Sequence, residues 1–256
     1  MDVTKQFDII NYSGGELESV ADSVVVEYSL TVFLNGDELV TMLCTPKSLQ
    51  SLVVGFLYSE GIIESFSQIS DIFICHKDGI ALVTLTKKRM KAIGDIDFRK
   101  TITSGCASGK SVENVSAADY KKIETTIKID QLKVLELIKQ FNKKSEIFLK
   151  TGGVHSCALC SQDEIILFEE DIGRHNALEK ILGQALQDNI DLSDKMILTS
   201  GRISSEIIKK AAKRRIPVVV SRSAPTDAAI DLAKSLGITL IGFARGARMN
   251  IYTQYP

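Results

Sequence analysis

Alternating apolar and polar positions dominate the first third of the chain. The runs VVVEYSLTVFL and DELVTMLC flank Asn35-Gly36, a pair that tolerates the positive φ of a type I′ turn, and so predict a β-hairpin. Thr45-Pro46 then predicts a helix start, with a hydroxyl at the N-cap and Pro at the first helical position. Within SLQSLVVGFLYSEGII the period changes: Leu49, Leu52, Val53 and Phe56 recur at i, i+3, i+4 and i+7, one face of a helix. Two further strand-like runs, DIFICHK and IALVTLTKK, lie on either side of Asp78-Gly79, and a polar passage, SVENVSAADY, suggests a domain boundary near residue 118.

The second half has another rhythm. DQLKVLELIKQFNKK reads as a helix with Leu132, Leu135, Ile138 and Phe141 spaced by threes; EIFLKTGG and EIILFEED read as strands. DIGRHNALEKILGQALQ reads as a helix capped by Asp171, with Leu178, Ile181, Leu182, Ala185 and Leu186 on one face. Strand KMILTS, helix RISSEIIKKAAKR, strand IPVVVS, helix PTDAAIDLAKSLG and strand ITLIGFAR then alternate. Continuous apolar runs of this kind suit parallel strands covered on both faces. Right-handed crossovers would place helices on both sides. The expectation is an α/β protein: a smaller β-rich α+β domain over residues 1–118 and a three-layer α/β/α sandwich over 119–256.

Composition narrows the function. The formal net charge of −1 gives no overall pull toward nucleic acid or membrane, and Trp is absent, which weighs against base-stacking platforms. No run approaches the roughly 18 apolar residues of a membrane span. The start, MDVTKQFDIINYSGGE, lacks the pattern of a secretory signal. Five cysteines, an odd number, suit a reducing, cytoplasmic setting in which a special thiol is reactive rather than cross-linked.

Ligands of open parallel sheets bind beyond the carboxyl ends of the strands. MILTS leads into Gly201-Arg202, VVVS into Arg222-Ser223, and LIGFA into Arg245-Gly246-Ala247-Arg248. Guanidinium forks match phosphate bidentately, and the first two turns also lead into helices, whose first N–H groups favour anions. Three such turns predict an anion site for a phosphate or pyrophosphate; solvated arginines at loop ends are the plain alternative.

The stretch TITSGCASGKSVENV looks like a phosphate loop but has only Cys106, Ala107 and Ser108 between Gly105 and Gly109, where that motif needs four residues. The next residues, SVENVSAADY, also lack an apolar helical stripe. Cys106 lies among small residues between Arg99-Lys100 and Lys110, a setting that exposes sulfur and favours thiolate. A reactive thiol and an inert loop cysteine both fit. Cys157-x-x-Cys160 beside His155 has half the ligands of a zinc site and no second pair, so small, partly buried residues are the simpler reading. Cys44 and Cys75 fall in apolar runs and read as core. His175 lies in the first turn of its helix, where capping and ligand contact are both open.

TGGVHSCAL, EDIGRHNALEKILG, the long run from LTSGRISSE to GFARG, MNIYT, and PKSLQSLVVGFLYSEGII together resemble the FdhD family of sulfur carriers needed for formate dehydrogenase activity. The resemblance covers nearly the whole chain. It implies a C-terminal domain like that of cytidine deaminases. The helix starts GRHNAL and SGRISSE lack the deaminase zinc motifs, so no zinc is expected. It further implies that a cysteine desulfurase passes sulfur to Cys106 as a persulfide. The sulfur then goes to a molybdenum or tungsten bis-molybdopterin guanine dinucleotide cofactor bound for formate dehydrogenase. The last turn, Phe243, Ala244, Arg245, Gly246, Ala247 and Arg248, is the implied cofactor contact, joined by Arg202 and Arg222. A homodimer is compatible with the family. One departure stands out: many members have Cys-x-x-Cys in this loop, whereas here Cys106 is alone. A chaperone that holds the cofactor without handling sulfur is the alternative.

Overall fold

The computed structural model describes residues 1–93, 103–104, 121–124 and 127–255. The expected boundary near residue 118 lies outside them. Among the described residues the strands form three sheets.

The chain opens with a hairpin that the sequence pattern did not announce. β1 (Thr4–Ser13) pairs with β2 (Glu16–Val25) around Gly14-Gly15, whose φ values are 63° and 96°. Both of its faces carry apolar residues, so no clean alternation marks it; Tyr12 and Leu17, paired across the strands, are 70% and 73% exposed.

β3 (Tyr28–Leu34) and β4 (Asp37–Cys44) form the expected hairpin, with Asn35 at φ 54° and Gly36 at φ 99°. With β5 (Ile69–Cys75), β6 (Ile80–Leu85) and β7 (Thr103–Ser104) they make a sheet in the order β5-β6-β3-β4-β7. Its inward residues, Leu30, Val32, Val40, Met42 and Val83, share a core with α1 (Leu49–Glu60). That helix starts three residues later than Thr45-Pro46 suggested, after Ser48 in a left-handed conformation at φ 52°. The reason is tertiary. The Thr45 N–H donates to Asp171 Oδ2 at 3.0 Å, and its hydroxyl oxygen accepts from the Ile172 N–H at 3.1 Å.

The second sheet runs β13-β12-β11-β10-β8-β9. β10 (Met196–Thr199), β11 (Val218–Ser221) and β12 (Thr239–Arg245) are parallel, as expected. β8 (His155–Cys160) lies antiparallel to both β10 and β9 (Ile165–Asp171), and β13 (Arg248–Thr253), which was not anticipated, lies antiparallel to β12. The sheet is therefore mixed. α5 (Arg174–Gln187), α6 (Ser205–Lys213) and α7 (Asp227–Leu236) pack on one face and α3 (Gln131–Lys144) on the other, giving three layers.

Three local expectations are corrected. EIFLKT is a helix, α4 (Glu146–Thr151), not a strand. The Glu170 carboxylate accepts the Ile147 and Phe148 N–H groups, both at 3.0 Å, and so satisfies its first turn. α3 buries Val134, Leu137, Ile138 and Phe141, while Leu132 is 78% exposed; Asp130 accepts from the Leu132 and Lys133 N–H groups and starts the helix. Asp171 is not the N-cap of α5: that is Gly173, and Asp171 ends β9.

The two units meet along α1 and α5, and the approach is unusually close. A Cβ on Gly183 would lie 1.9 Å from the Ser51 carbonyl oxygen, and one on Gly55 would lie 1.7 Å from the Glu179 carbonyl oxygen. Only glycine permits this contact. It explains why α1 is buried on nearly every side rather than along one stripe. The short helix α2 (Lys87–Ile93) follows β6. Among the described residues no helix is long and apolar enough to cross a membrane.

Candidate functional site

Strand direction brings the ends of β9, β10, β11 and β12, and the start of β8, to one edge of the second sheet. Backbone hydrogen bonds knit the turns there in sequence. The Arg222 N–H donates to the Thr199 carbonyl at 3.1 Å, and the Ile203 N–H to the Ala224 carbonyl at 3.1 Å. The Thr226 N–H donates to the Ile203 carbonyl at 2.9 Å, and the Phe243 N–H to the Ser223 carbonyl at 3.1 Å. The Ser221 hydroxyl donates to the Gly201 carbonyl at 2.6 Å.

The arginine turns are thus neighbours, but they are not equivalent. Arg202 is exposed and Arg222 half-buried on turns bonded to each other. Arg245 and Arg248 face each other across a hairpin tip formed by Gly246-Ala247, with Gly246 at φ 61°. The tip extends beyond the last residue that β12 pairs with β11, Ile241. Phe243 adopts φ 52° within an irregularity of this ladder, and the Arg245 guanidinium lies 5.8 Å from its ring centroid. Ala244 is buried below, among the α3-side core. The expectation that helix N-termini support the first two arginines needs narrowing. α6 begins three residues after Arg202 and α7 five residues after Arg222, and the α7 start is capped by the Thr226 hydroxyl, which accepts from the Ala229 N–H.

Two residues at this edge escaped the sequence reading of the anion site. His155 opens β8 and pairs with Asp171 across to β9; its Nδ1 is 3.3 Å from Ser200 Oγ. Arg174 opens α5. A Cβ on Gly201 would lie 3.0 Å from Arg174 Cβ and 3.4 Å from His155 Nδ1, so the two side chains flank this glycine. Burial lowers the His155 pKa, and the positive charges of Arg174 and Arg202 add to the effect, keeping the imidazole neutral. His175 is more extreme. Burial, then Arg174, Lys210 and His155, push it down to about 3, and its Nε2 lies 3.4 Å from Glu206 Oε2.

Behind the edge, charged groups lock the two units together. Asp171, fully buried, accepts from Lys180 Nζ at 2.7 Å and from the Gly173 N–H and Asn176 Nδ2, both at 2.9 Å, besides the Thr45 N–H. Lys210 joins α6 to both α1 and α5: its Nζ is 2.9 Å from Glu60 Oε1, 3.1 Å from Ser59 Oγ, and in contact with Glu179. Burial works against the Lys210 charge, but Glu179 and Glu60 outweigh it and raise its pKa.

The thiols separate clearly. Cys157 and Cys160 are strand residues and both fully buried, not merely neighbours of a Gly-Gly turn. Cys157 faces the α5 side and Cys160 the α3 side, so the pair cannot close on one ion. Burial holds Cys160 and Cys44 up to about 12 and Cys157 higher still, which keeps all three protonated. Cys75 is half-buried rather than core, and its Sγ–H donates to Asp78 at 3.0 Å. Cys106 lies outside the described residues. The strand that ends two residues before it, β7, runs parallel to β4, with Ser104 opposite Met42. β4 in turn leads to Thr45 and its bonds to Asp171 and Ile172.

Fold and edge together define a mixed α/β protein of two interlocked sheet units, with a basic, arginine-bearing edge on the second. The chain belongs to the FdhD/NarQ family, whose model matches residues 25–256. The sulfur carrier protein FdhD of Listeria innocua is 42% identical over 264 residues, covering 100% of this chain and 98% of its own. That of Bacillus subtilis is 41% identical over 254 residues, covering 98% and 96%. A crystal structure assigned as a formate dehydrogenase accessory protein of Desulfotalea psychrophila shares the fold, with a TM-score of 0.80 at 22% identity, over 99% of this chain and 98% of that one.

Proposed function

We propose that this chain is a sulfur carrier for formate dehydrogenase maturation, acting as a sulfurtransferase through Cys106. The observation that carries the reading is the contrast among the thiols: Cys44, Cys157 and Cys160 are buried and held protonated, and Cys75 lies in β5 with its Sγ–H donated to Asp78, whereas Cys106 falls among small residues between Arg99-Lys100 and Lys110, a setting that favours thiolate. The curated relatives named sulfur carrier protein FdhD support it.

In the first step the Cys106 thiolate attacks the outer sulfur of a persulfide on a cysteine desulfurase. The S–S bond of the donor breaks, the desulfurase cysteine leaves as thiolate, and Cys106 becomes the persulfide; no external oxidant or reductant is consumed. The acceptor is a molybdenum or tungsten bis-molybdopterin guanine dinucleotide, a substrate held by its pyrophosphates. Arg245 and Arg248, on the tip with Phe243, Ala244, Gly246 and Ala247, and Arg202 and Arg222 on the adjoining turns, are the residues suited to hold it. A reactive thiol suits the reducing cytoplasm. We read the three-layer unit as deaminase-like in architecture only. The α5 and α6 starts, Gly173-Arg174-His175 and Ser204-Ser205-Glu206, carry neither deaminase motif.

The alternative, a chaperone that holds the cofactor without handling sulfur, keeps the arginines and dispenses with the thiol. Complementation separates the two. In cells lacking their own family member, Cys106→Ser should fail to restore formate dehydrogenase activity although the protein accumulates. Restoration would favour the chaperone.

A further inference from the structure

The β1–β2 ribbon is almost uncovered. Every residue of β1 after Thr4 is exposed, and the two strands pair with each other and, among the described residues, with no other strand. Their ladder runs without a bulge from Thr4 opposite Val25 to Ser13 opposite Glu16. A two-stranded ribbon is marginal in water by itself, and a long edge with neither bulge nor proline invites association. Its two faces differ. Alternation puts Ile10, Tyr12 and Leu17 on the face of Val25. At the base that face turns toward the chain's own α4: a Cβ on Gly153 would lie 2.8 Å from Val25 Cγ1, and α4 packs against β2. At the tip the same face is bare, with Ile10 72% exposed next to the Tyr12–Leu17 pair. The opposite face carries Phe7, Ile9 and Val24, all exposed, and the carboxylates of Asp22, Glu18 and Glu16.

The surface beside the ribbon base has the complementary chemistry. Phe148 and Leu149 of α4 are exposed, Leu149 at 69%, and so are Lys143, Lys144 and Lys150 around them in the chain. Among the described residues none of these lysines, and none of the three ribbon carboxylates, has an ion-pair partner. An acidic, apolar ribbon and a basic, apolar helix end therefore lie next to each other on one chain. A two-fold interface needs this arrangement, because each patch then meets the other patch of the second copy.

We propose that the chain forms a two-fold dimer by clasping ribbons. The Ile10, Tyr12 and Leu17 faces of the two ribbons pack against each other. The acidic face of each ribbon lies on the second copy's α4 and the end of α3, with Glu16 and Glu18 toward Lys143 and Lys144. Both bare faces are then covered. A strand of ten residues spans about 34 Å and two strands are about 10 Å wide, so each face offers about 340 Å². Two ribbons covered on both faces, with the two helical surfaces they meet, bury about 2,000 Å² in total, enough for a stable dimer. The inference goes beyond the sulfur-carrier reading and depends on none of its residues.

Sedimentation velocity on the full chain tests it. The unaltered protein should sediment as a dimer. Two charge-reversed variants are informative, Glu16→Lys with Glu18→Lys, and Lys143→Glu with Lys144→Glu. All four positions are exposed, so both variants should melt close to the unaltered protein. Each variant alone sets like charges against each other and should dimerise about tenfold more weakly or worse. An equimolar mixture of the two should dimerise again, since every contact then pairs opposite charges. Leu17→Asp, at a residue 73% exposed, should also weaken the dimer about tenfold by placing a charge in the apolar ribbon contact. The proposal is overturned if the unaltered protein is a monomer, which would leave the ribbon to a different partner. It is also overturned if both reversed variants dimerise within twofold of the unaltered protein, or if mixing them restores nothing.

Discussion

Gly183→Ala should destabilise the protein by about 3 kcal/mol or more, the upper range for overpacking. The added Cβ would meet the Ser51 carbonyl oxygen at 1.9 Å and the Gly55 nitrogen at 2.6 Å, both backbone atoms of α1. No rotamer relieves a clash between Cβ and backbone, so α1 and α5 must separate, and the cores on both sides loosen with them. For a chain of this length that corresponds to a melting temperature lowered by roughly 10 °C. Gly152→Ala is the control. Nothing lies within 4 Å of a Cβ there, so only its left-handed φ of 64° is strained, at a cost of about 1 kcal/mol. Thermal melts of the two variants should fall in that order, and equal melting temperatures would contradict the close helix contact.

Asp171→Ala should be comparably severe, losing about 3–5 kcal/mol, as expected when one partner of a buried ion pair is removed. Lys180 would keep a charge at a site with no solvent access, and the Thr45 and Gly173 N–H groups would lose their acceptor. Lys180→Met in the same chain should recover part of the loss, because the stranded charge disappears. Urea denaturation of the two single variants and the double variant checks this. A double variant as unstable as the sum of the two singles would show that the pair is not coupled. The consequence reaches the functional edge, since Asp171 links the end of β4 to the start of α5, where Arg174 and His175 sit.

Elements defined by local chemistry were readable in the sequence. Asn35-Gly36 dictated its hairpin, and the apolar runs MILT, VVVS and TLIGFA dictated parallel strands ending in arginine-bearing turns. Elements decided by distant partners were not. Glu170, more than twenty residues downstream, settles α4 as a helix. Thr45 resembles an N-cap, but its groups are taken by Asp171 and Ile172. Cys157-x-x-Cys160 looks like a ligand pair only until the strand sends its members to opposite faces.

The basic edge followed from the rule that ligands gather at the carboxyl ends of parallel strands. Applied also to EIILFEED, the same rule reaches Arg174, because β9 ends at this edge too. His155 carried no such signal: it begins its strand, and only the antiparallel pairing of β8 with β10 places it among the arginines. The hairpin of β1 and β2 was hidden because apolar residues occupy both of its faces.

The claim that this chain carries sulfur on Cys106 is tested most directly by intact-protein mass spectrometry after incubation with a cysteine desulfurase and cysteine. The predicted result is a reductant-sensitive gain of about 32 Da, one sulfur atom, in the unaltered protein. No gain is predicted in Cys106→Ser, and a retained gain in Cys157→Ser, whose target thiol is buried. An adduct that persists in Cys106→Ser would contradict the claim.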